Sequence, residues 1–213
     1  MAIPTSRLWV ARVFTIQEVS MENNFFAMIS RMKFIERWAL MRNSRQENIS
    51  EHSLEVSILA HALAVISNER LGNHLPLEKA ALIGIYHDAS EIITGDMPTP
   101  IKYYNENIQG AFKEVEKAAA ERLLMMLPED IRSYYEEVFL PKDKDAYLWR
   151  LVKAADKLSA LIKCIEESKA GNKEFISAEK SIRQQLKDMG LEEVEIFMLE
   201  FLPAYSKTLD ELN

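Results

Sequence analysis

The sequence predicts an all-α fold, one helical domain, on three observations. Apolar residues recur at spacings of three and four through most of the 213 residues. Glycine occurs 6 times and proline 7 times, and the segments between them are rich in Ala, Leu, Glu, Lys and Met, the strong helix formers. No stretch shows the apolar–polar alternation of a half-buried strand.

In chain order, residues 1–23 read as an N-terminal extension of unassigned role. The stretch contains Arg7 and Arg12, has no acid before Glu18, and lacks the continuous apolar core of a secretory signal. Met21 is an equally good first residue. The domain proper spans 24–213. A first helix is expected from Asn24 to Arg37, then a loop rich in Arg and Asn from Trp38 to Ile49. Ser50 suits the N-cap of a helix running to about Asn68, because its hydroxyl can accept from a free first-turn N–H. LGNHLP is a turn. Pro76 opens a helix through Ala81 to about Ile93, which Gly95 ends. Thr99-Pro100 has the grammar of another start, and that helix is expected to reach about Leu127. Pro128 begins a shorter one, and PKDKDA is a loop. Ala146 to Ala170 forms a long helix closed by Gly171-Asn172. Two more helices follow, the last kinked at Pro203.

Composition narrows the function classes. The formal net charge of -7 argues against a nucleic-acid polymer as main partner, since binding phosphate backbones calls for a basic face. A single cysteine, Cys164, leaves no internal disulfide and fits the cytoplasm. No apolar run approaches the roughly 18–20 residues of a membrane span, so no membrane partner is expected.

The informative residues are polar ones on apolar faces. His52, Val56, Leu59, Leu63 and Ile66 share one face of the helix after Ser50. His61 falls on the opposite face. In the next helix Ala80, Ile83, His87 and Glu91 share a face, with Asp88 one residue aside. In the late helix Leu148, Val152, Ala155, Leu158 and Ile162 form the buried stripe, with Asp156 beside it. Three helices thus each bring an imidazole or carboxylate to a buried side: His52, His87 with Asp88, and Asp156. A divalent cation between them would make burial of two carboxylates tolerable. Nitrogen and oxygen donors without thiolate suit Co, Mn, Fe, Ni, Zn or Mg. The competing reading is bland: hydrogen-bonded core histidines, and Asp156 paired with Lys153 or Lys157.

Three blocks carry a family resemblance: RWALMRNSRQENISEHS (Arg37 to Ser53), YHDASEIITGDMPTPIKYYN (Tyr86 to Asn105) and KAADKLSALIKCIEE (Lys153 to Glu167). A His after an acid, a later His-Asp pair and a distant Asp resemble the HD-domain metal-dependent phosphohydrolases. The blocks together resemble the bacterial 5′-deoxynucleotidases of the YfbR type, from about Phe25 to near the C-terminus. The resemblance implies an HD-domain helical bundle, one divalent metal such as Co or Mn, a homodimer, and hydrolysis of deoxyribonucleoside 5′-monophosphates. It also implies ligands His52, His87, Asp88 and Asp156, and a catalytic Glu91. Arg37 and Trp38 correspond to the residues that bind and orient phosphate. Asp96, Met97, Pro98 and Thr99 correspond to the sugar-side segment, and His52 also counts among the substrate-contacting residues.

The residue types suit those roles. Arg37 can grip phosphate with two parallel N–H bonds. Glu91 can move a proton, at a bound water or at the leaving oxygen. Trp38 reads equally as a rigid wall or a core anchor, and Asp96 as a sugar-hydroxyl acceptor or a turn residue. Arg42 and Arg45 read as support for the phosphate pocket or as partners of Glu47 and Glu51, support ranking first. Two alternatives stand beside the 5′-deoxynucleotidase. One is another HD-type hydrolase, acting on nucleoside triphosphates, guanosine polyphosphates or a cyclic dinucleotide. The other is a nucleotide-binding sensor without turnover.

Overall fold

A computed structural model describes residues 23–102 and 104–213. The extension read over 1–23 lies outside them except at Asn23. At the centre two long helices, Ile49–Leu71 and Ala146–Lys169, pack their buried stripes together. Helices are numbered in chain order: α1 Phe25–Ile29, α2 Ile49–Leu71, α3 Leu77–Tyr86, α4 Glu91–Thr94, α5 Thr99–Lys102, α6 Glu106–Leu124, α7 Glu129–Phe139, α8 Ala146–Lys169, α9 Ile176–Asp188 and α10 Glu192–Glu200. Among the described residues no strand forms; an isolated bridge pairs Glu36 with Asn48. The all-α expectation holds.

α2 packs against α3, α8 and α10, and α8 also carries α9. Val56, Leu59, Leu63 and Ile66 of α2 are buried, as are Leu148, Val152, Ala155, Leu158 and Ile162 of α8. These are the stripes expected from periodicity. By length and composition α2 could cross a membrane, contrary to the sequence reading that no run comes near. Its stripe of Val56, Leu59, Leu63 and Ile66 is buried, in a helix that packs on α3, α8 and α10. Where α3 meets α2, Gly84 permits a close approach. A Cβ there would lie 2.7 Å from the Ser57 Cα and 2.9 Å from its N. Gly84→Ala must push two backbones apart and is expected to cost about 1–3 kcal/mol. Urea unfolding measures this; an unchanged midpoint would deny the close seating of α3.

Several element boundaries differ from expectation, each for a local reason. The first helix stops early: after α1 the chain tightens into a 3₁₀ turn, Ser30–Phe34, and Ile35 is extended. Backbone bonds from Arg37 N to Glu47 O and from Ile49 N to Ile35 O close the following loop on itself. The N-cap of α2 is Asn48, not Ser50, its side chain accepting from the Glu51 N–H at 3.1 Å. Asn105 caps α6 likewise, at 2.9 Å from the Ile108 N–H, so the helix expected from Thr99 to Leu127 is broken. Pro203 sits in a 3₁₀ turn after α10 rather than kinking a helix.

The break with most consequence falls at His87-Asp88. α3 ends at Tyr86, and residues 87–90 form a turn before α4. Bonds there run three residues back, Ala89 N to Tyr86 O and Glu91 N to Asp88 O, which overwinds the chain. His87 and Glu91 therefore do not share a continuous helical face.

Candidate active site and metal centre

One ligand atom from each of His52, His87, Asp88 and Asp156 lies within 4.8 Å of all the others. α2 supplies His52 from its buried stripe, the turn after α3 supplies His87 and Asp88, and α8 supplies Asp156. His52 Nε2 is 3.2 Å from Asp156 Oδ1 and 3.5 Å from Asp88 Oδ2, and His87 Nε2 is 3.1 Å from Asp88 Oδ2. Neither Nε2 makes a hydrogen bond of sound geometry, though both are buried. His87 Nδ1 donates to the Gly84 carbonyl at 2.8 Å. Neutral imidazole carries one N–H, so this bond leaves the Nε2 lone pair facing the cluster. Two neutral imidazoles and two carboxylates carry a charge of -2, which a divalent cation neutralises. The donor set, its spacing and its orphaned nitrogens fit such a cation. Asp156 faces this cluster; the alternative pairing with Lys153 or Lys157 is not seen.

The charges are strongly coupled. Burial pushes the Asp88 carboxyl up, but His87 and His52 outweigh it and hold it well below the carboxylate range. Burial likewise opposes the Asp156 charge, and His52 brings its pKa down to about 2.

The cluster lies beside a cavity of about 560 Å³, within the size range of small-molecule pockets, which His52, expected also to contact substrate, does not line. Asp88 and Asp156 reach this cavity, together with Arg37, Trp38, Glu91, Asp96, Met97 and Pro98. Thr99 begins α5. Arg37 Nη1 donates to Glu47 Oε2 at 2.9 Å, and Arg37 Nη2 stands 3.9 Å from Asp156 Oδ1. Burial works against the Arg37 charge, yet Glu47, Asp156 and Asp88 outweigh it and raise its pKa. Trp38 sits at φ 61°, a left-handed backbone that costs a residue of this size on the order of 1–3 kcal/mol. Its Nε1–H donates to the same Glu47 oxygen at 2.8 Å, and its ring packs on Phe175 at 5.3 Å. Trp38 is thus both pocket wall and anchored side chain.

Glu91 opens α4 and is 5% exposed. Its Oε2 has no hydrogen-bond partner. Burial first, then the charges of Asp88 and Asp96, push its pKa up to about 10.

Several features escaped the sequence reading. Glu47 ties Arg37 to Trp38. Glu167, buried on α8, accepts from the Ser44 N–H at 2.9 Å and from Lys163 Nζ at 2.6 Å, pinning the loop that carries the Arg37-Trp38 pair. Asn172 adds a bond from its Nδ2 to the Arg42 carbonyl at 2.7 Å. The far wall comes from α9, through Ala178, Ser181, Ile182 and Gln185, a helix with no chemical motif. Lys102, bonded to Glu116 at 2.7 Å, also reaches the cavity. The expected support role of Arg42 and Arg45 is not what the geometry shows. Arg45 stands 3.6 Å from Glu51 at the surface, Arg42 is exposed, and neither lines the cavity.

A helical bundle that gathers two imidazoles and two carboxylates beside a buried arginine defines an HD-type phosphohydrolase. The family described as 5′-deoxynucleotidase YfbR-like matches residues 24–205, and the chain belongs to that family. A relative from Erwinia tasmaniensis, named 5′-deoxynucleotidase, is 47% identical over 191 residues, covering 90% of this chain and 96% of its own. A Vibrio cholerae protein of the same name is 46% identical, covering 90% of this chain and 99% of its own. Among solved structures, an HD-domain phosphohydrolase from Listeria innocua superposes with a TM-score of 0.74 at 22% identity, over 85% of this chain and 88% of that one. A cyanophage S-2L HD phosphohydrolase, bound to dA and one catalytic Zn²⁺ ion, gives 0.59 at 20% identity, over 85% of this chain and 96% of that one. At these identities the two structures bear on the fold.

Proposed function

We propose that the protein is a metal-dependent 5′-deoxynucleotidase, releasing phosphate from deoxyribonucleoside 5′-monophosphates. The observation that carries this is the pair of orphaned buried nitrogens, His52 Nε2 and His87 Nε2, gathered with Asp88 and Asp156 at a cavity that Arg37 and Glu91 also line. Relatives of the same name, nearly half identical over most of the chain, support the substrate class. The bound dA and Zn²⁺ of the cyanophage protein agree with it.

His52, His87, Asp88 and Asp156 would hold one divalent cation, with Co or Mn the first candidates. When bound, it lowers the pKa of a water and neutralises phosphoryl oxygen charge. Arg37 grips the phosphate through its guanidinium, which is charged at every relevant pH. Glu91 keeps a proton at its buried carboxyl and delivers it to the leaving 5′-oxygen, so that the nucleoside departs as an alcohol. Trp38 walls the phosphate end, Asp96 accepts from a sugar hydroxyl, and Met97 and Pro98 shape the sugar side. Positioning together with charge neutralisation accounts for most of such a rate enhancement, as phosphoryl transfer requires.

A phosphate-release assay with dAMP, AMP, dATP and 3′-dAMP, with Co²⁺, Mn²⁺ or chelator, tests this reading. Metal-dependent release from dAMP, exceeding release from the other three, is expected. Comparable release from dATP or 3′-dAMP would favour a broader HD hydrolase.

We also propose a homodimer in the cytoplasm. Leu54 and Ile58, one turn apart on α2, are each 61% exposed, and Leu82 and Ile85 of the adjoining α3 are exposed too. An apolar face of this kind suits a second copy. Light scattering should give twice the chain mass for the wild type and once for Ile58→Glu; a wild-type monomer would refute the dimer. Cell fractionation tests the compartment, and recovery outside the soluble cytoplasmic fraction would refute it.

A further inference from the structure

His52 must present Nε2 without a proton to hold a cation, and the position of its proton is set at Nδ1. Ser159 stands one turn beyond Asp156 on α8, with its Oγ 3.0 Å from His52 Nδ1. Glu55, three residues beyond His52 on α2, accepts the Ser159 hydroxyl proton at 2.5 Å. His52 and Ser159 are both 0% exposed, so water does not substitute for either contact. A serine hydroxyl has one proton to give. With that proton committed to Glu55, Ser159 turns a lone pair toward Nδ1 and can only accept there.

Arg37 pulls the other way. Its Nη1 lies 2.9 Å from the same Nδ1, and a guanidinium can only donate. An Nδ1 that accepts from Arg37 places the proton on Nε2, facing Asp156. The two arrangements exclude each other. Arg37 Nη1 has a second acceptor in Glu47 Oε2 at 2.9 Å, so it loses little by giving up His52. A protonated Nδ1 has Ser159 Oγ as its acceptor.

We propose that Glu55 and Ser159 are positioning residues that hold His52 as its Nδ1–H tautomer and aim the free Nε2 lone pair at the cation. Neither was singled out by the motifs, and neither lines the main cavity. The pair ties α2 to α8 beside two of the ligands they carry. It also leaves Arg37 free to exchange His52 for a phosphate. This inference rests on the cation site proposed above.

The test is Co²⁺ binding by calorimetry to the full-length protein and to Ser159→Ala, Glu55→Leu and Glu55→Gln, with helicity checked by circular dichroism. Loss of an outer partner to a metal-bound histidine costs roughly 10–100-fold in affinity, and that loss is expected for Ser159→Ala and Glu55→Leu. Glu55→Gln keeps an oxygen that accepts from Ser159 and is expected to bind close to wild type. Equal weakening by Gln and Leu would assign the effect to charge and overturn the relay, as would unchanged affinity in Ser159→Ala. Imidazole ¹⁵N shifts of the metal-free wild type at pH 8 read the tautomer directly, independent of how the variants fold. A proton found on Nε2 of His52 overturns the proposal. A wild type that binds no Co²⁺ removes the cation site itself, and this inference with it.

Discussion

Glu91→Ala is expected to lower kcat by about 10²–10⁴-fold, the usual contribution of a positioned proton donor, while a bound divalent cation is retained. Glu91 is no member of the four-residue cluster, so its loss leaves every candidate ligand in place. Metal content measured on the purified variant, beside the rate with dAMP, separates the two effects. Full activity would remove Glu91 from the chemistry, and loss of metal would reassign it to the ligand set.

The same residue should reveal itself in stability. Burial together with Asp88 and Asp96 pushes its pKa from 4.5 to about 10. Between those values the native protein holds a proton that the unfolded chain has released. Stability is then lost as pH rises through that window. Glu91→Gln removes the penalty. With chelator present it should be more stable than wild type, and the gain should grow from pH 5 to pH 8. A gain that is flat or shrinks would mean that Glu91 is ionised in the native state. A site residue whose removal stabilises the protein is one held for chemistry rather than for folding.

Asp156→Asn is expected to weaken cation binding by more than the roughly 10–100-fold that loss of an outer partner costs, because a charged donor itself is lost. Asp156 belongs to the four-donor cluster and supplies one of its two negative charges. The amide keeps an oxygen and the shape but not the charge. Turnover should fall in parallel with metal content and recover in part as the metal concentration is raised. That recovery distinguishes the variant from Glu91→Ala, whose rate no excess of metal restores. Tight binding in Asp156→Asn would show that the remaining three residues suffice and that Asp156 serves another purpose.

The residues themselves specified a helical fold and which face of each long helix turns inward. Val56, Leu59 and Leu63 on α2, and Val152, Leu158 and Ile162 on α8, are buried as the 3.6-residue period requires. That period placed His52 and Asp156 on or beside buried stripes, and the three motif blocks pointed to a family. Local spacing could not reveal that the helix after Pro76 stops at Tyr86. Its apolar pattern continues to Ile93, and the overwound turn depends on His87 and Asp88 meeting partners from α2 and α8. Nor could it reveal Glu47 under Arg37 and Trp38, Glu167 pinning their loop, or Ser159 between His52 and Glu55. Each of those contacts joins residues 9 to 123 positions apart. Periodicity is a property of neighbours on one helix, and it carries the burial of a face. Which side chains from different helices touch is decided by how the helices dock, and only the folded chain settles that.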